Sequence, residues 1–372
     1  MEGYRMKIAV LTSSRADYGI YYPLLKLLKE DPFFDLEIIA FGTHLSAAHG
    51  YTLSCIEADG FEVKHQITTV PKGDTPSDIA FSIGNTIEKF SKLWNENKFD
   101  IVFALGDRYE MFAAVSATTP FNIKVAHISG GETTLGAIDN VYRHSITLMS
   151  AYHFVSTDIY KERVVEITGS EEHAYNVGAL SIDNLKNMKL FSPEEFKQKF
   201  NIDLSKPTIL ITFHPETVSF EKNEIYIDEV IKALEKCDKY QLVITMPNTD
   251  TMGNMIRSRL KDFIAYTENA IEIESFGALG YLSCMKYCAF MLGNTSSGFV
   301  EASFFPKYVI NLGDRQKGRL VTPNILNVPI EHEKIEQAIK KVASLKLLEN
   351  MNVYGTGNAS GQIVNILKQL KK

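Results

Sequence analysis

Short apolar runs recur along the chain, and most of them close in a polar cluster. Residues 7–12, 36–41, 100–105, 124–127, 153–156 and 174–177 form one series, and residues 63–70 hold a further candidate. Such runs are too short for a helix and suit strands of a parallel sheet covered on both faces. Stretches with helical spacing lie between them. Tyr22, Leu24, Leu25, Leu27 and Leu28 make one amphipathic face, with Pro23 in its first turns, and residues 79–94 make another. Residues 183–204 are polar and charged, with Ser192-Pro193-Glu194-Glu195 as a helix start, and are expected to form the domain linker region. The pattern then restarts with residues 207–213, 241–246, 290–293 and 308–312 as strands. Strands alternating with helices predict an α/β chain with doubly wound parallel sheets. Two domains are expected: residues 1–183, joined by an amphipathic C-terminal helix within 357–372, and residues 184–356.

Composition supports this division. The chain has 372 residues, more than one hydrophobic core usually serves. A hydrophobic fraction of 45% with 23% charged residues is that of a globular chain. The net charge of −6 argues against a general nucleic-acid binder, which needs a basic face. No apolar run has the length of a membrane span, and the first residues lack the apolar stretch of a leader. A cytoplasmic location is expected. Of Cys55, Cys237, Cys284 and Cys288, only the last two are close, at helical i, i+4 spacing. No matching Cys/His pair stands elsewhere, so reduced, mostly buried thiols are expected in place of a metal site.

The candidate chemistry sits at the strand ends, where open α/β sheets bind ligands. Val125-Ala-His-Ile-Ser-Gly-Gly-Glu-Thr-Thr-Leu-Gly-Ala-Ile-Asp-Asn-Val-Tyr-Arg-His144 opens as a strand and breaks at Gly130-Gly131. It then offers Glu132, Asp139, Arg143 and His144, two carboxylates beside an Arg and a His, the materials of an acid/base site. The plain alternative is a polar loop with Asp139 as a helix N-cap. Arg15 follows the first strand and is either a phosphate contact or, the plainer reading of the residue alone, a solvated surface side chain. Asp107 follows another strand; it is either a carboxylate at the sheet's ligand edge or, with Glu110, half of a capping box.

In the second half, His214-Pro215-Glu216-Thr217 closes one strand and Pro247-Asn248-Thr249-Asp250 the next. Phe290-Met-Leu-Gly293-Asn-Thr-Ser-Ser-Gly298-Phe-Val-Glu301 enters a Gly/Ser/Thr loop, with a helix expected from near Ser297. The N–H groups of a helix start favour an anion such as a pyrophosphate. Hydroxyls of Thr295, Ser296 and Ser297 can add hydrogen bonds, and Glu301 can accept from ribose hydroxyls. The alternative is a capped helix without a ligand. Arg315, Lys317 and Arg319 form a basic cluster that is either phosphate-facing or solvated.

Taken in order, Arg15-Ala-Asp-Tyr-Gly19, Gly106-Asp-Arg108, His127-x-x-Gly-Gly-Glu132, Asp139-x-x-x-Arg-His144, His214-Pro215, Asn248-x-Asp250, Gly293-Asn-Thr-Ser-Ser-Gly298 and Gly313-Asp-Arg-Gln-Lys-Gly-Arg319 resemble the hydrolysing UDP-N-acetylglucosamine 2-epimerases. The resemblance spans nearly the whole chain. It implies two Rossmann-like domains in a GT-B-like arrangement, with the sugar nucleotide between them. It implies UDP held by His214, Asn248, Ser296, Ser297, Glu301 and Arg315, with Thr295 and Gly298 completing the loop and Arg15 near the phosphates. Asp107, Glu132, Asp139 and Arg143 would face the hexose. The implied reaction eliminates UDP across C1–C2 to a 2-acetamidoglucal, then adds water to give the 2-epimer N-acetylmannosamine and free UDP, for sialic acid synthesis. Neither a metal nor another cofactor is expected, and a bacterial homodimer is implied. The family often has an acidic residue where this chain has Asn140. The non-hydrolysing enzymes carry Arg-Pro-Glu where this chain has Arg15-Ala16-Asp17. The alternatives are the same reaction on UDP-N,N′-diacetylbacillosamine for legionaminic acid synthesis, a GT-B glycosyltransferase, and a sensor that binds UDP-sugar without turnover.

Overall fold

The computed structural model describes residues 5–47, 50–71, 73–247, 252–346, 349 and 351–370, the side chain of Asn187 excepted. The chain divides into two compact units: Met1–Glu132, Asp139–Asn187 and Tyr354–Lys372 form the first, and Thr133–Ile138 with Met188–Val353 the second. The first therefore runs four residues past Asp183, and a six-residue loop from the middle of its sequence belongs to the second.

In the first unit, β1 (Met6–Thr12), α1 (Arg15–Glu30), β2 (Phe34–Phe41), α2 (Leu53–Ala58), β3 (Val63–Ile67), α3 (Pro76–Glu96) and β4 (Ile101–Leu105) lead into α4 (Tyr109–Ser116) and β5 (Val125–Ile128). Next come α5 (Asp139–Met149), β6 (Tyr152–Val155), α6 (Asp158–Thr168), β7 (Ala174–Asn176) and α7 (Leu180–Asn187). The seven strands are parallel in the order β3-β2-β1-β4-β5-β6-β7. Alternate residues of a strand face opposite sides. Ile8 and Val10 meet α1 on one side, through Tyr21, Leu24, Leu25 and Leu28. Ala9 and Leu11 meet α3 on the other, through Phe90 and Trp94.

Two expectations are corrected here. Pro23 is not in the first turns of α1. The helix starts eight residues earlier, at Arg15, because Ser14 and Asp17 close a capping box over its first turn. Asp183 is not in a linker but in α7 of the first unit. It is fully buried, and its carboxylate accepts from Ala359 N–H at 2.9 Å and Ser360 N–H at 2.7 Å. These bonds fasten the start of the C-terminal helix, Ala359–Gln369, whose Ile363 and Leu367 join the core beside α1.

The second unit repeats the plan. It runs α8 (Pro193–Phe200), β8 (Thr208–Thr212), α9 (Asn223–Leu234), β9 (Gln241–Thr245), α10 (Gly253–Ala265), β10 (Ala270–Ile273) and α11 (Gly277–Tyr287). It continues with β11 (Phe290–Gly293), α12 (Glu301–Phe304), β12 (Val309–Leu312), β13 (Ile325–Val328) and α13 (His332–Ala343). Its six parallel strands are ordered β10-β9-β8-β11-β12-β13. Ile209 and Ile211 face one core, and Leu210 faces the other. The Ser192-Pro193 start does open α8, where Ser192 and Glu195 form a capping box.

In both sheets the winding reverses beside the first strand, between β1 and β4 and between β8 and β11. That reversal leaves a crevice at the carboxyl ends of those strands. The residues following these four strands begin at Ser13, Gly106, Phe213 and Asn294, next to the polar clusters of the sequence. Among the described residues, no helix is long and apolar enough to cross a membrane.

Candidate active site

The first cluster is built around Arg143 in α5. Its side chain is almost fully buried, and its Nη1 donates to Glu132 Oε2 at 3.2 Å and to the Ser129 carbonyl at 2.9 Å. Its Nη2 donates to Asp107 Oδ2. Glu132 is buried, whereas the Asp107 side chain is 23% exposed. One guanidinium thus joins carboxylates from the loops after β4 and β5, and the three side chains sum to a net negative charge. A planar fork of donors suits Arg to this task, which Lys would perform with a single point charge.

The backbone is shaped to allow this. Ser129 adopts φ +63°, a left-handed conformation costing about 1–2 kcal/mol for an L-residue, and thereby turns its carbonyl toward Arg143. Gly131, at φ +75°, passes so close to the Tyr160 carbonyl that any Cβ would overlap it. Behind the cluster, His127 is fully buried, with Nε2 at 2.8 Å from the Gly106 carbonyl and Nδ1 at 3.1 Å from Thr147 Oγ1. Burial pushes the imidazole down to about 3, against the pull of the Gly106 carbonyl, so it is neutral at ordinary pH. His144 is also held below its usual range, first by desolvation and then by Arg143 and Arg163.

The capping-box alternative for Asp107 does not occur. The N-cap of α4 is Arg108, with no side-chain cap bond. The carboxylate of Glu110 instead takes a two-pronged contact from Arg108, Nε at 3.1 Å and Nη2 at 3.0 Å. Asp139 is the first residue of α5 rather than its N-cap, one turn before Arg143 and partly exposed. Arg15 opens α1 at the end of β1. There Asp17 accepts from Ser13 N–H at 2.9 Å and Ser14 N–H at 3.1 Å, so a carboxylate of the chain already engages these loop amides.

The second cluster lies at the β8–β11 crevice. His214 follows β8 and is buried, with backbone bonds to the Asn294 side chain. Arg315 follows β12; its Nε donates to the Pro215 carbonyl at 3.2 Å and its Nη1 reaches the Asn294 carbonyl at 3.5 Å. Glu216 accepts from Asp314 N–H at 2.8 Å, and burial raises its carboxyl above the usual range. Loops after three neighbouring strands thus meet around His214 and Arg315. In the Gly/Ser/Thr loop, Ser297 Oγ lies 2.7 Å from Tyr281 Oη and 3.2 Å from Thr295 Oγ1. Gly293, at φ +142°, lets this loop leave β11 against the Thr212 carbonyl, where a Cβ would collide.

The expected helix from Ser297 is not formed. Ser296–Gly298 make a 3-10 turn, and the α-helix begins at Glu301 and lasts four residues. So short a helix has little summed dipole, and Gly298 N–H already bonds the Thr295 carbonyl. The loop therefore presents hydroxyls and local N–H groups in place of a helix end. Asn248 lies outside the described residues. Arg257 is engaged by Glu274 Oε2 at 2.5 Å and the Pro247 carbonyl at 2.8 Å. Sequence reasoning missed Asn294, Glu216 and Gln316 as parts of this cluster. Asn294 comes directly after β11, and Glu216 and Gln316 stand four residues past the ends of β8 and β12, so the available signal was their place in the loops behind strand ends.

The sequence model of the UDP-N-acetylglucosamine 2-epimerase family matches residues 26–368. A GDP/UDP-N,N′-diacetylbacillosamine 2-epimerase (hydrolyzing) of Campylobacter jejuni is 34% identical, over 93% of this chain and 90% of its own. The polysialic acid biosynthesis protein P7 of Escherichia coli is 33% identical, over 98% of this chain and 94% of its own. The crystal structure of the Neisseria meningitidis UDP-GlcNAc 2-epimerase bound to UDP-GlcNAc shares the fold, with a TM-score of 0.81 and 19% identity, covering 98% of this chain and 100% of that one. The match takes in every strand but β1 and both polar clusters, so the chain is an enzyme of the UDP-N-acetylglucosamine 2-epimerase family.

Proposed function

We propose that the enzyme is a hydrolysing 2-epimerase that converts UDP-N-acetylglucosamine to N-acetylmannosamine and UDP. The observation that supports this most is the Arg143 bridge between Asp107 and Glu132, with Asp139 one turn away on the same helix. Removing the C2 proton needs a base, and rehydrating a glucal needs an acid for C2 and a group to guide water to C1. The base takes the C2 proton, a C1–C2 double bond forms, and the C1–O bond breaks with its electron pair leaving on UDP. Water then adds its hydroxyl at C1 while C2 is protonated from the opposite face. Asp107, Glu132 and Asp139 share these proton steps, and Arg143 fixes the first two.

His214, Arg315 and Arg15 take the diphosphate, whose charge rises as the C1–O bond breaks. Thr295, Ser296, Ser297 and Gly298 line the phosphate side, and Glu301 accepts from the ribose. Asn248 is assigned to UDP by the family resemblance alone. The reading also takes the enzyme to be a cytoplasmic homodimer serving sialic acid synthesis.

A second reading, the same reaction on UDP-N,N′-diacetylbacillosamine for legionaminic acid, is favoured by the name of the 34% identical relative. One NMR experiment in D2O separates them. UDP-N-acetylglucosamine should yield UDP and free N-acetylmannosamine deuterated at C2. Turnover of the diacetylbacillosamine nucleotide alone would move the enzyme to the second reading. Silence with both, while UDP still binds, would favour a glycosyltransferase or a sensor.

A further inference from the structure

Asn294 is fully buried, immediately after Gly293 at the end of β11. Its side-chain amide pairs with both backbone groups of one residue. Oδ1 accepts from His214 N–H at 2.7 Å, and Nδ2 donates to the His214 carbonyl at 2.8 Å. The last backbone pair between β8 and β11 is Thr212 with Gly293. The amide therefore continues that ladder with a side chain, at the point where the strands diverge. With both flanking peptide groups tied, the His214 backbone cannot turn without breaking one of the bonds. The Asn294 carbonyl in turn accepts from Gln316 Nε2 at 2.8 Å and meets Arg315 Nη1. One residue thus fixes the His214 turn to the loop that carries Arg315.

We propose that Asn294 is a positioning residue for the His214 imidazole, setting its direction toward the leaving diphosphate. This rests on the assignment of His214 to that leaving group. A merely structural Asn would satisfy buried backbone groups, and its loss would lower stability whatever side chain stood at 214. A positioning Asn acts on turnover only through the imidazole, so its kinetic effect depends on His214 being present.

A double-mutant cycle on the full-length enzyme makes the distinction. His214→Ala should lower kcat/KM by ~100-fold or more, the scale of losing one donor to a developing oxyanion. Asn294→Ala should lower it by ~10-fold or more in the wild-type background, chiefly in kcat, as misplacing a catalytic group does. In the His214→Ala background it should cost less than ~3-fold, while lowering Tm equally in both backgrounds. Equal kinetic losses in both backgrounds would overturn the positioning role. A silent His214→Ala would instead remove His214 from the reaction, and the role of Asn294 with it. Should Asn294→Ala not fold, Asn294→Asp serves in the same cycle, since it keeps the acceptor for His214 N–H and loses the donor.

Discussion

Arg143 donates to the Asp107 carboxylate and so ties helix α5 to the loop after β4, 36 positions earlier in the sequence. Glu132 shares the same guanidinium. Replacing Arg143 with Met would leave two carboxylates facing a buried apolar side chain. Breaking a buried ion pair from one side costs about 3–5 kcal/mol, and the partial exposure of Asp107 places this case near the lower end. Arg143→Met is expected to lose turnover and to lower the stability of the first unit. Arg143→Lys should recover stability more than turnover, because a point charge cannot serve both carboxylates. Steady-state kinetics beside urea unfolding checks both, and full activity in the Lys variant would dismiss the fork geometry.

Glu132→Gln keeps an acceptor for Arg143 and removes the ability to exchange a proton. Deuterium incorporation at C2 is expected to fall by ~100-fold or more, the scale of a general acid/base contribution. UDP affinity, measured by calorimetry, should change little. A parallel loss of both would place Glu132 outside the hexose chemistry.

Arg315 is held at its Nε by the Pro215 carbonyl, an anchor that aims a guanidinium without neutralising it. If it meets the diphosphate, Arg315→Ala forfeits a charge-assisted bond of about 1.5–3 kcal/mol, or roughly 10- to 100-fold in UDP affinity. The loss should shrink as salt is raised. Unchanged affinity at low salt would strike Arg315 from the site.

Asp183 caps the C-terminal helix from 176 residues away, where Asn358, the helix's own N-cap, makes no side-chain cap bond. Asp183→Ala is expected to cost about 2–4 kcal/mol, because it orphans two buried N–H groups and the Ser360 hydroxyl. Trp94, the single tryptophan and a core residue of the first unit, reports the loss by fluorescence during urea unfolding. A midpoint unchanged from wild type would show that the cap is dispensable.

Asp183 also marks where local pattern stops being informative. The strands could be read because a doubly covered strand must be apolar throughout, and the ligand edge because each run ends in polar residues. β10 and β13 escaped notice as four-residue edge strands in which Ile325 alone is buried. The start of α1 was hidden because Ser14 and Asp17 read as loop until their mutual capping is seen. Asp183 and Asn294 find their partners 176 and 80 positions away, pairings that composition and periodicity do not encode. The Asp107–Arg143 pair is of the same kind. Asp107 beside Glu110 satisfies a local capping pattern, and tertiary placement of Arg143 decides against it.

His127 gives the structure a pH signature with a fixed sign. An imidazole titrates near pH 6.5 in an unfolded chain, and burial holds His127 down to about 3 in the fold. Below about pH 6.5 the unfolded chain therefore binds a proton that the folded chain refuses. Stability fully present above that pH is lost as pH falls toward 3, by about 1.4 kcal/mol per unit for this one group. His153 and His44, each pushed down to about 4 chiefly by burial, add to the same trend, so wild-type decline alone does not isolate His127. His127→Gln does. The variant is expected to be less stable at pH 7, because a Gln lacks the ring that spans the Gly106 carbonyl and the Thr147 hydroxyl. Wild type should then approach the variant as pH falls from 6 to 4, closing the gap by about 1.4 kcal/mol per unit in Trp94-monitored urea unfolding. A gap that stays constant over this range would mean that His127 takes up its proton in the folded state, and that the buried neutral imidazole does not brace the loop carrying Asp107.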